Sequence, residues 1–412
     1  MDVVSGIAPS EAIDIVRRER PSLGDERVAL DDALGRVLAE DLASRCDHPG
    51  VDNSALDGYA CRVKDTEGAS TAAPVRLRLV GEAPAGRPYQ GRVGPGEAVR
   101  IFTGAAVPDG ADGIVPVEAS REPDEAAAVV ELLQPARASD IRRRAQDLED
   151  GRVYLARGRR LDAAALGLAA GMGHGTVPVV RRPRVALLTT GDEVVDPGRP
   201  LERGQVYDSN GASLMALGRA AGAEMVRLPR VGDDAAALEE ALGRAGRVDL
   251  LLTSGGVSMG RYDLVRDLLF DKGAVHFWKV AMKPGGPALF GRLGDLPVLG
   301  LPGNPVSSMV VFLVLGRSFL DAALGRNDPL PYRDRRQARA STRFAAASAK
   351  ESLPRARLSR DDAGLHAAAL PNQSSGVLRS MTEADALAVV PPGTDVAVGD
   401  LVDVIPLAGH LR

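Results

Sequence analysis

Three glycine-containing loops carry the side chains best suited to holding a ligand. Each loop follows a short apolar run (residues 185–189, 250–253 and 297–301) of the kind that forms a buried strand. Glycine lets the backbone come close to a ligand, and the N–H groups that open a following helix favour an anion. Each loop alone fits an ordinary tight turn equally well, but the three together predict a binding crevice. The loops read Thr189-Thr190-Gly191-Asp192-Glu193, Ser254-Gly255-Gly256-Val257-Ser258 and Pro302-Gly303-Asn304-Pro305-Val306-Ser307-Ser308.

Lysine is scarce in this chain, which has 46 arginines and five lysines, three of them within residues 272–283. A lysine that persists in such a chain indicates a need for its compact ammonium group. Lys279 and Lys283 are four residues apart in a strand-like segment, so both would project from the same face. Two ammonium groups on one face repel unless an anion lies between them. Solvated edge-strand lysines are the alternative, and the scarcity of lysine favours an oxyanion or phosphate site.

Two acids follow the glycine loops at different strand ends. Glu193 and Asp263 are suited to Mg²⁺, which takes one or two carboxylates together with phosphate oxygens. Helix caps or partners of a helix dipole would use the same residues at least as often. Asp233 is most simply a helix cap.

Two polar segments lie outside this region. The Asp52 to Tyr59 segment is dense in hydrogen-bonding side chains, although its Asp57-Gly58 step also fits a turn. The run Ile141-Arg142-Arg143-Arg144-Ala145-Gln146-Asp147 sets three guanidinium groups beside an acid. A solvated basic face is the usual interpretation of such a run, and an anion clamp is the more specific one.

Missing motifs disfavour several classes of enzyme. No segment matches GxxxxGK[ST], and none has GxGxxG followed by an acid, which argues against nucleoside-triphosphate hydrolysis and dinucleotide-dependent hydride transfer. Five histidines and no His/Cys cluster make a zinc site improbable.

The 412 residues predict two to four domains, and the net charge of −4 gives no basic field for nucleic acid. Two cysteines form no disulfide framework, and the N-terminus lacks a signal-peptide pattern. The longest apolar run, 309–315, is far shorter than the ~20 residues that cross a bilayer. We therefore expect a cytoplasmic protein with no nucleic-acid partner and no membrane span.

The hydrophobic spacing changes along the chain. Residues 10–42 show helical spacing, with one helix at Ile13 and Val16 and another between Leu30 and Leu42. Residues 60–147 have the alternating runs of a small β-rich domain. Helical spacing returns at 148–180, with Asp162 as a candidate N-cap.

Apolar strands alternate with helices from residue 184, which predicts a parallel α/β sheet. Ligands bind at the carboxyl ends of such strands, where the three glycine loops lie. Ser209 or Asn210 would cap a helix at 214–221, and 309–315 would form a buried helix. Short strands with Pro-Gly turns follow residue 326.

Seven motifs occur in order: Asp52-Asn53-Ser54-Ala55-Leu56-Asp57-Gly58-Tyr59-Ala60, Ile101-Phe102-Thr103-Gly104-Ala105-Ala106-Val107-Pro108, Ile141-Arg142-Arg143-Arg144, Thr190-Gly191-Asp192-Glu193, Ser254-Gly255-Gly256-Val257-Ser258, Lys283-Pro284-Gly285 and Leu301-Pro302-Gly303-Asn304-Pro305-Val306-Ser307. Together they resemble the molybdopterin molybdenumtransferases, the molybdate-insertion enzymes of molybdenum cofactor biosynthesis, which are related to the E domain of gephyrin. The resemblance extends from about residue 7 to the C-terminus.

The resemblance implies a multidomain α/β plus β fold in an elongated protomer of four parts. A helical/linker domain would comprise residues 1–47 and 148–180, with an inserted β-rich domain at 48–147. A molybdopterin-binding parallel α/β sheet domain would follow at 181–326, and a C-terminal β-barrel-like domain at 327–412. The family works as a homodimer, with each active cleft between the α/β domain of one subunit and the β-rich domain of the other.

The implied reaction is the Mg²⁺-dependent insertion of molybdate into adenylylated molybdopterin with release of AMP. By this resemblance, Glu193 and Asp263 match acids at the metal and the adenylyl phosphate. The implied catalytic residues are Asp57, Asp147, Asp233, Lys279 and Lys283, of which the two lysines would face molybdate or phosphate. The implied residues for binding the pterin substrate are Thr103, Arg142, Thr190, Gly191, Asp192, Ser254, Gly255, Gly256, Ser258, Pro302, Gly303, Asn304, Pro305, Arg355 and Ser375.

One departure and two alternatives accompany this hypothesis. The loop after Lys283 reads Pro-Gly-Gly286-Pro, where some family members have Pro-Gly-Lys-Pro, so one substrate contact is weakened or re-routed.

A molybdopterin adenylyltransferase resembles residues 181–326 alone, and the additional domains argue against it. A non-catalytic pterin-binding scaffold would not need the acids and both lysines. Implied partners are the adenylyltransferase and apo-molybdoenzymes or their chaperones.

Overall fold

A mixed seven-stranded sheet forms the centre of residues 181–326, called here the α/β unit. The computed structural model describes residues 4–122, 128–229, 237, 240–241, 243–244, 246–255, 264–326 and 332–407. Every neighbouring pair in the sheet is parallel except the two pairs made by Leu289–Leu293. The predicted α/β sheet is therefore confirmed, with one antiparallel strand added. In spatial order the described strands are Val4–Ile7, Ala274–Val280, Leu289–Leu293, Leu296–Leu301, Leu250–Ser254, Arg184–Thr189 and Glu224–Arg227.

Helices cover both faces of this sheet. On one face, Ile13, Leu214 and Phe319 belong to a large core that continues into the C-terminal barrel through Leu353 and Leu387. The N-terminal strand and first helix thus pack on the α/β unit. Within the described residues, the helices are α1 (Pro9–Arg18), α2 (Ala163–Gly171), α3 (Ser209–Ala220), α4 (Leu264–Lys272), α5 (Pro305–Ala323) and α6 (Arg379–Glu383), with 3-10 turns at Leu30–Asp32, Val63–Thr66, Val117–Ala119 and Ala138–Asp140.

The apolar helix α5 has 19 residues and contains a π-helical turn at Phe312–Gly316. Its length and hydropathy would suit a membrane span, but its most apolar window is entirely buried inside the protein. It is the core helix predicted at 309–315. Pro305 opens it, where a missing backbone N–H costs nothing.

Residues 48–147, called here the β-rich unit, contain a six-stranded sheet. Two small cores, around Tyr59 and around Ile101, flank it. The described strands lie in the order Gly113–Pro116, Gly58–Cys61, Glu97–Ile101, Val75–Ala83, Val129–Leu132 and Ser120–Arg121.

A closed barrel occupies the C-terminal part of the described chain, as expected. Alanine and valine side chains such as Ala356, Ala388 and Val404 fill its interior. The barrel order is Arg336–Ala340, Gly364–Ala369, Arg355–Asp361, Ala386–Val389 and Leu401–Pro406.

Short two-stranded ladders join the parts of the chain. One of them pairs Met282–Lys283 of the α/β unit with Glu351–Ser352 at the barrel, and so fixes the loop after Lys283 against the barrel. The other described ladders pair Ile141–Arg142 with Asn53–Ser54, Val153–Leu155 with Leu42–Ala43, Thr176–Val180 with Asp25–Ala29, and Val194–Val195 with Val206–Tyr207.

Three local predictions were wrong. The apolar residues between Leu30 and Leu42 form no helix: only Leu30–Asp32 makes a 3-10 turn, and the chain then pairs with residues 160 and 179. Leu34 is 63% exposed, so its spacing did not mark a buried face. Helix α3 is capped by Asp208, whose Oδ1 accepts from Gly211 N at 2.7 Å, rather than by Ser209 or Asn210.

The third error concerns the shared face of the two lysines. Lys279 has a left-handed φ of 72° and lies in the seven-stranded sheet, whereas Lys283 pairs with Ser352 in a different ladder. The twofold alternation of a single strand therefore does not extend from one lysine to the other. By contrast, the predicted cap at Asp162 is present, accepting from Ala165 N at 2.8 Å.

Candidate active site

A cleft of about 890 Å³, called here the barrel cleft, lies between the loop after Met282 and the C-terminal barrel. Four cationic side chains line it: Lys283, Arg343, Lys350 and Arg355. None of the described lining residues is an aspartate or glutamate. Unbalanced positive charge in a concave site attracts an anion. The other lining residues used below are Met282, Gly286, Asn304 and Ser375.

Lys283 and Arg355, the two cleft cations predicted as site residues, differ in exposure and in hydrogen-bond partners. Lys283 is exposed, and its carbonyl accepts from Leu353 N at 2.7 Å, which anchors its backbone to the barrel. Arg355 is 1% exposed and donates to Ser380 Oγ at 3.1 Å and to the carbonyls of Asn372 and Ser374. These partners are neutral, and burial lowers the pKa of the Arg355 guanidinium. Arg355 therefore contributes a charge that no described carboxylate neutralises.

The two other cations were not predicted as site residues. Arg343 is neutralised by an ion pair with Asp395, which raises the pKa of its guanidinium. Lys350 forms neither an ion pair nor a side-chain hydrogen bond with any described residue. Lys283, Lys350 and Arg355 are thus the lining cations without a described acidic partner.

Asn304, at the start of α5, and Ser375, in a loop of the barrel, both line the barrel cleft. Asn304 precedes α5 without a side-chain capping bond, so its amide is not used by the helix. Val306 N donates to Ser375 O at 3.1 Å, which joins the start of α5 to the barrel loop. The structure therefore brings four predicted residues together: Lys283, Asn304, Arg355 and Ser375.

A second feature, called here the strand-end crevice, brings together the three glycine loops. Thr190 N donates to Ser254 O at 3.1 Å. Asn210 Nδ2 donates to Ser254 Oγ and to Gly303 O, both at 2.8 Å. Its Oδ1 is buried without a partner among the described residues. Asn210 thus holds the second and third loops together and leaves a polar atom available inside the crevice.

A left-handed backbone conformation explains two of the loop glycines. A Cβ built on Gly255 would lie 2.7 Å from Thr190 Oγ1, and Gly255 has a φ of 90°. A Cβ on Gly191 would lie 2.8 Å from the Glu193 carboxylate, with a φ of 123°. The left-handed φ favours glycine at both positions, and at Gly255 the backbone carbonyl oxygen of Thr190, 3.1 Å from the built Cβ, adds a steric reason.

Of the two predicted metal ligands, only Glu193 lies within the described residues. Glu193 and Asp192 are exposed at the first loop, and a carboxylate there suits a hard cation. Asp263 lies outside the described residues, as do Asp233, Gly256 and Ser258. In the described part of the chain, no three His, Cys, Asp or Glu side chains converge in the manner of a metal-binding cluster.

Asp57 and Thr103, 46 residues apart, meet at the surface of the β-rich unit. Asp57 Oδ1 accepts from both Thr103 Oγ1 and Thr103 N, each at 2.7 Å. The hydroxyl bond, followed by the backbone bond, lowers the pKa of the Asp57 carboxyl. Asp57 is thus an ionised carboxylate at neutral pH, and Thr103 orients it.

The arginine run divides into structural and available members. Arg143 pairs with Asp52 at 2.6 Å, and Arg144 pairs with Asp47 at 2.5 Å. Arg142 has no ion pair with a described residue, so it is the member free to hold an anion. With Asp147, it lines a cavity of about 350 Å³ together with His48, Pro49, Asn53 and Gln146.

Lys279 does not line the barrel cleft as described. Its Nζ lies 4.3 Å from the centre of the Trp278 ring, and its backbone N donates to Ala288 O at 2.8 Å. Nor does any described hydrogen bond join Asp57, Thr103, Arg142 or Asp147 to the strand-end crevice. Within one chain the predicted residues therefore fall into separate groups.

Comparison with known proteins agrees with this architecture. The MoeA N-terminal region (domain I and II) matches residues 7–173, a probable molybdopterin binding domain matches 186–322, and the MoeA C-terminal region (domain IV) matches 337–407. Molybdopterin molybdenumtransferase 2 of Mycobacterium tuberculosis is 40% identical over 388 residues, which cover 91% of this chain and 94% of that protein. The chain belongs to the molybdopterin molybdenumtransferase family.

Other members of the family are similar over most of their length. The molybdopterin molybdenumtransferase of Bacillus subtilis is 33% identical over 376 residues, covering 90% of this chain and 86% of that protein. A crystal structure of a molybdopterin biosynthesis MoeA protein from Pyrococcus horikosii has a TM-score of 0.82 and 31% identity, covering 98% of this chain and 99% of that one. The predicted family and fold class are confirmed.

Lys350 and Asn210 are the residues that sequence analysis missed in this family member. Lys350 could have been noticed as one of only five lysines, and Asn210 was considered only as a helix cap. Neither carries a local signal for a site, because each acts on residues far away in the sequence.

Proposed function

We propose that this chain inserts molybdate into adenylylated molybdopterin and releases AMP. The observation that supports this most directly is the barrel cleft, with four cations and no described carboxylate among its lining residues. Molybdate is a tetrahedral dianion, so ammonium and guanidinium groups can hold it by charge-assisted hydrogen bonds. Membership of the molybdopterin molybdenumtransferase family supports the same reaction.

The barrel cleft is proposed to bind molybdate, and the strand-end crevice the pterin substrate. Lys283 has its backbone held by the barrel and its side chain exposed in the cleft, so it can meet the anion without disturbing the fold. Arg355 is preorganised by three neutral acceptors and provides fixed positive potential. Preorganised charge stabilises the transition state of a phosphoryl-containing bond better than mobile solvent does.

The β-rich residues are proposed to complete the cleft of a second subunit. Asp57, Thr103, Arg142 and Asp147 are exposed, and no described hydrogen bond links them to the crevice of their own chain. A homodimer with two equivalent clefts would use all of them. These four residues of one subunit would then orient the substrate from the side opposite the strand-end crevice of the other subunit. The four-part division of the chain remains part of this proposal.

Mg²⁺ is proposed as the cofactor, with Glu193 and Asp263 as its acids. The exposed Glu193 carboxylate, in the glycine loop that follows a buried strand, fits a hard, oxygen-binding cation. When bound, Mg²⁺ would neutralise charge on the adenylyl phosphate. Lys279, Asp233 and the remaining loop positions are retained as substrate-contacting residues in this proposal.

The proposed location is the cytoplasm. The proposed partners are the adenylyltransferase and apo-molybdoenzymes or their chaperones, with which this chain would exchange substrate and product. An adenylated, metal-reactive pterin would be protected by direct hand-over between such proteins. These partners follow from the family resemblance rather than from a surface of this chain.

A single-turnover assay tests the reaction. Purified chain is mixed with adenylyl-molybdopterin, Mg²⁺ and molybdate, and AMP release is followed together with reconstitution of an apo-molybdoenzyme. We expect molybdate-dependent AMP release and active enzyme. Binding without turnover would instead identify a carrier or scaffold, and production of adenylyl-molybdopterin from ATP would identify an adenylyltransferase.

A further inference from the structure

The Lys350 ammonium group lies within contact distance of the point where a side chain at position 286 would begin. A Cβ built on Gly286 would lie 3.4 Å from Lys350 Nζ and 3.2 Å from Met282 O. Gly286 is buried, and its φ requires no glycine. The small residue at 286 therefore leaves room for an ammonium group that comes from the barrel side of the cleft.

The backbone around Lys350 is fixed with respect to Lys283. Lys350 closes a tight turn with Ala347, and the next residue, Glu351, donates its N–H to Ala281 O at 2.9 Å. Glu351–Ser352 then pairs with Met282–Lys283 in parallel. Lys283 thus lies in one strand of this ladder and Lys350 immediately precedes the other strand, and both side chains line the same cleft.

The charge of Lys350 is not used by the fold. The neighbouring Glu351 carboxylate accepts from Tyr332 and lies 3.8 Å from Arg335, which leaves it already partnered. Lys350 itself has no hydrogen-bonding or ionic partner in the described part of the chain, and it is exposed within a cleft lined by three other cations. Like charges gathered at one place are stabilised when an anion binds between them.

We propose that Lys350 is an oxyanion-binding residue of the barrel cleft. It supplies from the barrel the ammonium group that a Pro-Gly-Lys-Pro loop would supply at position 286. This inference rests on the proposed function, because it takes the barrel cleft to be the site of a tetrahedral dianion. It makes Gly286 and Lys350 a coupled pair: one ammonium group is needed, and either position can carry it.

Isothermal titration calorimetry with sodium molybdate tests this inference on the full-length chain. We expect Lys350→Met to weaken molybdate binding about 10-fold or more, the usual effect of losing one charge-assisted hydrogen bond. Lys350→Arg should retain most of the affinity. Lys64→Met, which removes an exposed lysine of the β-rich unit, is the matched control and should bind as the wild type does.

A double variant that moves the ammonium group from position 350 to position 286 distinguishes a role in anion binding from a role in supporting the fold. In the double variant Gly286→Lys with Lys350→Met, we expect affinity to return towards the wild-type value. Wild-type affinity in Lys350→Met would overturn the inference while the proposed function stood. Absence of both molybdate binding and AMP release in the wild type would overturn the proposed function itself. If the double variant does not fold, equal losses in Lys350→Arg and Lys350→Met would overturn the role of charge.

Discussion

Asp57 accepts two hydrogen bonds from a single residue, Thr103, through one carboxylate oxygen. One comes from the hydroxyl and one from the backbone N–H, each at 2.7 Å. Both favour the charged form, so the pKa of Asp57 lies below its usual range. Thr103 therefore orients Asp57 and keeps it ionised.

Removing the Thr103 hydroxyl is expected to raise the pKa of Asp57. Thr103→Ala loses the larger of the two hydrogen-bond contributions that Thr103 makes to the shift, whereas Thr103→Ser keeps a hydroxyl donor. Because the folded pKa is depressed, the stabilisation is present above the unfolded pKa and is lost as pH falls through the folded value. Carbon-detected NMR titration of the carboxyl measures the pKa. An unchanged pKa in Thr103→Ala would contradict the geometry.

Two cations of the barrel cleft should respond differently to truncation. Lys283→Ala removes an exposed side chain, so turnover should fall about 10-fold or more with the melting temperature unchanged. Arg355→Ala leaves buried carbonyls and a cavity behind, and should cost about 2–4 kcal/mol of stability. Thermal unfolding and the turnover rate with molybdate, measured on both variants, check the contrast. A stable Arg355→Ala protein would show that its hydrogen bonds do not support the fold.

Mixing two impaired variants tests the cleft between subunits. Asp57→Ala and Lys283→Ala each spoil a different half of the proposed cleft. After unfolding and co-refolding, a mixed dimer keeps one intact cleft, so about one quarter of wild-type activity should return. Each variant refolded alone is the control. Activity that stays at the level of the single variants would place both residues in the same subunit's cleft.

The amide of Asn210 is expected to support the strand-end crevice. Asn210→Ala deletes the donor that joins Ser254 and Gly303, which should cost about 1–3 kcal/mol and weaken binding of the pterin substrate. Arg219→Ala, at the exposed end of the same helix, is the control. Equal substrate affinity in the two variants would rule out this role for Asn210.

The two cysteines should differ in reactivity. Burial, followed by the nearby charges of Asp112 and Asp65, raises the pKa of the Cys61 thiol to about 12. Cys46 is exposed. At pH 8 a thiol reagent should therefore label Cys46 alone in the folded chain and both cysteines after unfolding, because the thiolate is the reactive form. Rapid labelling of Cys61 in the folded chain would contradict its burial.

Local patterns predicted the parts of the chain whose neighbours in sequence are also their neighbours in space. Buried strands such as Leu250–Ser254 need only a continuous apolar run, and Asp162 caps a helix that starts at the next residue. The predicted helix between Leu30 and Leu42 was wrong because those side chains pack against α2 and the Thr176–Val180 strand, which periodicity does not reveal.

The sequence by itself determined the order of elements, the glycine loops at strand ends and the family, since these depend on residue type and short spacing. The tertiary structure decided which charges remain available. It neutralised Arg343 with Asp395, buried Arg355 among neutral acceptors, and set Lys350 beside Gly286, 64 residues earlier in the chain. Electrostatic and steric relationships of this kind depend on distance in space, and only the folded chain fixes that distance.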